Sequence, residues 1–210
     1  MTHLRRFPAV FAAFLAFSGI FAAAQKPPIQ ITANLADAPR KLFHAEIDLP
    51  VSEGPLALTT PQWIPGNHMP TGPAEDITGV VFTVQGPDGK PQTLPWRRDD
   101  VDLYEFHLTI PKGATMLHAH LDCIATSRVT QKMAVLEWER LLLYPAHTPV
   151  REIPIQASLI VPAGWGIGTA LTPEGPGAYP VPAAGTGYAP EPSGCSAVPM
   201  PQPAGTISDG

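Results

Sequence analysis

An all-β fold, an antiparallel β-sandwich-like domain, is what the sequence predicts, and three observations carry that expectation. Apolar and polar residues alternate with period two in several segments, which sends one set inward and the other to water. Proline and glycine fill 27 and 18 of the 210 positions, about a fifth of the chain against the ~12% of an average protein. Proline at that density interrupts long helices. Turn-forming clusters also separate the alternating segments, as hairpin-connected strands require.

Residues 1–24 read as a secretory signal peptide. His3, Arg5 and Arg6 precede an apolar run from Phe7 to Phe21, and Ala22 and Ala24 place small side chains at a cleavage site before Gln25. The run is short for a membrane span, which needs ~20 apolar residues. Cleavage would remove two of the 13 basic residues and none of the 18 acidic ones. The mature charge is then 11 − 18 = −7, so the expectation is an exported chain, periplasmic or secreted. No membrane contact follows cleavage, and no nucleic acid is a partner, since that needs clustered cations.

From 25 to 171 the chain reads as one β-rich domain. In Leu42–Leu49, Phe43, Ala45, Ile47 and Leu49 alternate with His44, Glu46 and Asp48. Leu56–Thr60 reads as a further strand. Val80–Val84 and Gln92–Trp96 flank Gly86-Pro87-Asp88-Gly89, a hairpin signal. Tyr104–Ile110, Leu117–Cys123 and Ile153–Val161 repeat the alternation. Met133–Tyr144 suits a short amphipathic helix or a buried strand. Cys123 reads as a small buried residue; an exported chain also permits a disulfide with Cys195. The last 39 residues hold nine Pro, seven Gly and three charges, so 172–210 is expected to be a disordered Pro/Gly/Ala-rich tail.

Residues able to carry chemistry are few. His118-Ala119-His120-Leu121-Asp122 has a spacing known from dinuclear zinc hydrolases, yet the strand period sends its polar residues outward along one face. An enzyme built on the His118/His120 pair is the weakest reading of that face. Gly164-Trp165-Gly166-Ile167-Gly168 lacks the helix that a phosphate loop needs and reads as a turn. Asp99, Asp100 and Asp102 with Arg97 and Arg98 read as a solvated charge cluster. There is no Gly-x-Ser-x-Gly and no His-Glu-x-x-His.

One segment is more specific. Pro61-Gln62-Trp63-Ile64-Pro65-Gly66-Asn67-His68 sets a stiff turn around an aromatic residue. It resembles the Pro-x-Trp-x-Pro-Gly-x-Tyr signature in the N-terminal domain of the glycyl aminopeptidase family of zinc metallopeptidases, with His68 in place of the Tyr. Asp76-Ile77, Gly86–Gly89, Trp96 with Asp99-Asp100, Leu136–Pro145, and Val161-Pro162-Ala163-Gly164-Trp165 running into Thr169-Ala170-Leu171 follow in the family's order.

The resemblance covers 28–171, extending towards 187. It implies a β-rich accessory domain that precedes a thermolysin-like domain. In the family that second domain holds zinc through two His and a Glu, and the Glu of His-Glu-x-x-His activates the bound water. The expected function is therefore the N-terminal domain of an exported zinc metallopeptidase, without the catalytic domain. Zinc is expected only in that missing domain, so this chain should bind no stoichiometric zinc and cleave no glycyl anilide. Its expected partners are a peptide substrate or a separate catalytic domain.

No catalytic or metal-binding residue is carried over. Pro61, Trp63, Pro65, Gly66 and His68 form either a structural motif, anchored by Trp63 in the core, or a cleft-facing turn. Trp165, Thr169 and Leu171 are expected to be structural. The tail reads as the product of truncation or a shifted reading frame, with a natural disordered terminus as the alternative. The competing function is a free-standing exported β-sandwich module that binds peptides or sugars through exposed aromatics such as Trp63 and Trp96.

Overall fold

The computed structural model describes residues 27–64, 66–126, 128–169, 171, 178–181 and 195–199; the signal peptide expected at 1–24 lies outside them. The strands are β1 (Ile29–Asn34), β2 (Leu42–Pro50), β3 (Gly54–Thr59), β4 (Ile77–Gln85), β5 (Pro91–Leu94), β6 (Trp96–Arg98), β7 (Glu105–Ile110), β8 (Met116–Ile124), β9 (Ala134–Leu136), β10 (Tyr144–Pro145), β11 (Ile155–Ile160), β12 (Trp165–Gly168), β13 (Ala178–Val181) and β14 (Cys195–Pro199). Helix among the described residues is confined to single 3-10 turns at Ala38–Arg40, Trp138–Arg140 and Val150–Glu152. No helix there is long and apolar enough to cross a membrane.

The fold is mostly β, as the alternation implies. A seven-stranded sheet runs β13-β11-β1-β2-β8-β4-β5, a four-stranded sheet runs β10-β3-β7-β6, and a small sheet runs β12-β14-β9. Phe43, Ala45, Ile47 and Leu49 of β2 and Leu117, Ala119, Leu121 and Cys123 of β8 share one buried cluster with Leu58 of β3 and Phe106, Leu108 and Ile110 of β7. Burying each large side chain there contributes about 1.5–3 kcal/mol. Phe82 of β4 meets Phe106 edge to face across the two sheets, with ring centroids 6.4 Å apart. Trp96 leans on the same pair, 5.4 Å from Phe106. Cys123 is a free, buried cysteine, in line with the small-hydrophobe reading.

Three expectations change. The large sheet is mixed rather than wholly antiparallel, because β1 pairs with β11 in parallel. Most of the domain lies between those two strands in sequence, and a parallel neighbour needs such a crossover rather than a tight turn. The Met133–Tyr144 segment is neither one helix nor one strand. It breaks into β9, the Trp138–Arg140 turn and the buried run Leu141–Leu143 before reaching β10. Trp138, Leu141, Leu142 and Leu143 are all buried, and three consecutive buried residues do not follow helical spacing.

The third change concerns 172–210, where two short segments are strands. β13 extends the free edge of β11, and β14 lies between β12 and β9. Pro180 stands opposite Gln156 on the outermost strand of the large sheet, and an edge strand is where proline is tolerated in sheets. The remainder of that stretch lies outside the described residues.

Candidate functional site: the Trp63 turn and a histidine–carboxylate face

The turn after β3 is tied down by its backbone. Thr60 N donates to Tyr104 O at 3.1 Å, and both Thr71 N and Gly72 N donate to Gln62 O at 3.2 Å. Asn67 N donates to Ile64 O at 3.1 Å, and its amide donates to Thr71 Oγ1 at 2.6 Å. Gly72 is obligatory here, because a Cβ would lie 1.8 Å from Pro61 O and 2.7 Å from the Tyr104 ring. Pro61 is buried, whereas Gly66 and His68 are exposed at the tip and Pro65 lies outside the described residues.

Trp63 does not anchor the core: it is 61% exposed. Two flanking prolines stiffen the chain but do not decide which way the ring faces, and here the buried member of the motif is Pro61. Met69 on the same loop and Val101 and Leu103 on the loop leading to Tyr104 are also exposed. Trp96 is half in the core, as the ring contacts above show. Trp165 and Leu171 pack partly buried against the core. Thr169 Oγ1 accepts Leu171 N at 3.1 Å.

The Arg97–Asp102 cluster is more ordered than a solvated patch. Asp99 Oδ1 accepts Val101 N and Asp102 N, both at 2.9 Å, and its Oδ2 lies 2.9 Å from His107 Nε2. A carboxylate only accepts, so that ring nitrogen carries the hydrogen. Hydrogen bonds from Asp102 N and Val101 N, and then the one from His107, hold the Asp99 carboxyl down at about 2. Arg98 donates to Ala74 O at 2.8 Å while its guanidinium stacks 4.9 Å from the Phe106 ring centroid.

On the outer face of the large sheet, β8 places His118, His120 and Asp122 directly opposite Asp48, Glu46 and His44 of β2. The projection outward is as the strand period implies. What one strand could not reveal is the alternation that results. His44 Nε2 lies 3.2 Å from Asp37 and its Nδ1 2.6 Å from Asp122. Asp122 also lies 3.3 Å from His120 Nε2. Glu46 bridges His120 Nδ1 at 2.8 Å and His118 Nε2 at 3.0 Å, and His118 Nδ1 ends the row 2.8 Å from Asp48.

Each imidazole thus has a carboxylate on both nitrogens. Both contacts are hydrogen bonds only when both nitrogens carry hydrogen. Burial pulls the His44 pKa down, but the hydrogen bonds to Asp122 and Asp37 and their charges outweigh it, so the net shift is upward. His118 shifts upward by the same balance, with Asp48 and Glu46 opposing its burial.

The description "Peptidase M61 N-terminal domain" matches residues 30–187. The chain belongs to that family. The M61 N-terminal domain therefore covers the Trp63 turn, both large sheets and β13. Its fold is shared with an aminopeptidase N family protein from Idiomarina loihiensis, at TM-score 0.64 and 16% identity, over 81% of this chain and 29% of that one. An M1 zinc metallopeptidase from Deinococcus radiodurans aligns more loosely, at TM-score 0.41 and 14% identity, over 82% of this chain and 41% of its own. The chain thus spans well under half of either protein. No curated protein matches its sequence.

The 210 residues contain no His-Glu-x-x-His. What this M61 N-terminal domain offers is a rigid exposed aromatic turn and a charged sheet face.

Proposed function

We propose that the chain is the N-terminal accessory domain of an exported zinc metallopeptidase of the glycyl aminopeptidase type, working in the periplasm or outside the cell. Zinc and the hydrolytic residues come from a separate catalytic domain. The observation that carries this reading is the exposure of Trp63 on a turn whose sequence resembles the family's and whose backbone is held by bonds from Thr60, Asn67, Thr71 and Gly72 N–H. A stiff, exposed Trp is suited to packing against a catalytic domain or a peptide in its cleft. The leader-like residues 1–24 support export, and the acidic balance argues against nucleic acid.

The same exposed ring suits a free-standing exported module that binds peptides or sugars, and experiment separates the two. Reading the nucleotide sequence beyond codon 188 in all three frames should find a His-Glu-x-x-His segment; finding none in any frame leaves the free-standing module. The purified chain should leave glycyl anilides uncut, and turnover blocked by a chelator would sink the accessory-domain reading. Quenching of Trp fluorescence by peptides or sugars added to the chain alone would favour the module.

A further inference from the structure

We propose that His44, His120 and Asp122 form a binding site for one divalent transition-metal ion of the zinc class on the outer face of the seven-stranded sheet. One donor atom from each residue lies within 4.8 Å of the other two. His44 Nδ1 and His120 Nε2 both point at Asp122 Oδ1, at 2.6 and 3.3 Å. A tetrahedral zinc ion with bonds of ~2.0–2.2 Å holds its donor atoms about 3.3–3.6 Å apart. The His120–Asp122 separation already meets that value. The His44–Asp122 contact has to open by less than ~1 Å as an ion takes the place of the hydrogen between them.

The far side of each ring is arranged for the same purpose. His44 Nε2 faces Asp37 at 3.2 Å and His120 Nδ1 faces Glu46 at 2.8 Å. A carboxylate behind a ligating imidazole takes the second N–H, fixes the tautomer and aims the lone pair at the metal. Both ligand histidines have that partner. The backbone contributes as well: a bulge in β4 brings Gly79, at φ +62°, against the Asp122 carboxylate, where a Cβ would lie 2.5 Å from Oδ2. Side-chain exposures of 23% for His44 and Asp122 and 33% for His120 leave the cluster open to solvent, so water can complete the coordination. β2 supplies the ligand that β8 alone cannot place beside His120 and Asp122, namely His44.

Calorimetric titration of the full 210-residue chain with Zn2+ tests the proposal, with Co2+ as an optical probe of tetrahedral coordination. One ion per chain is expected, with a dissociation constant of about 1–100 µM. His44→Ala and His120→Gln should each weaken binding by at least ~100-fold; the glutamine keeps a polar side chain on the strand, and circular dichroism checks the fold. Asp37→Asn should weaken it ~10-fold or more at unchanged stoichiometry, and His147→Ala should leave it unchanged. Binding weaker than about 1 mM overturns the proposal. So does wild-type affinity in folded His44→Ala and His120→Gln, or loss of binding in His147→Ala.

Discussion

His44 Nδ1 stands 2.6 Å from Asp122 Oδ1 across the β2–β8 pair, although 78 residues separate them in the chain. Backbone register makes the meeting, since His44 and Asp122 are direct partners in the ladder. Neighbouring Gly79 makes room for it. Replacing Gly79 with alanine forces a Cβ into the carboxylate and puts a side chain at positive φ.

Gly79→Ala should therefore destabilise the domain by about 1–3 kcal/mol. The steric share is separable. In an Asp122→Ala background the same substitution should cost less, leaving mainly the backbone strain, and urea unfolding of the double-mutant cycle measures the difference. Equal costs in both backgrounds would mean that the carboxylate moves aside freely.

The two aromatics of the Trp63 turn and the core should part company in mutagenesis. Trp63→Ala removes a ring that is 61% exposed, so unfolding should shift by less than about 1 kcal/mol. Phe106→Ala deletes a ring buried between Phe82, Trp96 and the Arg98 guanidinium, and should cost about 3–5 kcal/mol. A loss of that larger size from Trp63→Ala would return the turn to the core and remove the basis of the proposed docking role.

Local pattern encodes only part of this arrangement. β2, β7, β8 and β11 alternate cleanly, and a half-buried strand announces itself by period two. The orientation of Trp63 is not local information, because Pro61 and Pro65 stiffen the turn without choosing its buried side. β13 and β14 escape a local reading for a related reason. Their pairing depends on free edges of β11, β12 and β9, not on any alternation of their own. On the sheet face, His118-x-His120-x-Asp122 was visible as a spacing. Its partners Asp37, His44, Glu46 and Asp48 required the β2–β8 register, and register shows only once the sheet is assembled.

Cys123 should be chemically silent in the folded chain. Burial pushes its thiol up to about 11, with the Arg140 charge opposing only in part. At pH 8 the thiolate fraction falls about two orders of magnitude below that of an ordinary cysteine. Iodoacetamide labelling, read on the peptide that contains Cys123, should be undetectable in the native protein and complete in denaturant. Rapid native labelling would contradict the burial.

Asp99 gives a pH dependence whose sign can be worked out. Its folded pKa of about 2 lies below the ~3.9 of an unfolded aspartate. The charged carboxylate is thus favoured in the fold, first by hydrogen bonds from Asp102 N and Val101 N and then by His107. Stabilisation from a lowered carboxylate is fully present above the unfolded pKa and is lost as pH falls through the folded one. Asp99→Ala should therefore reduce stability above about pH 4, and the gap to wild type should narrow between about pH 4 and 2. Urea midpoints of the two proteins, followed from pH 2 to 6, measure the gap. A gap that widens towards low pH would reverse the sign and exclude a carboxylate held charged by this turn.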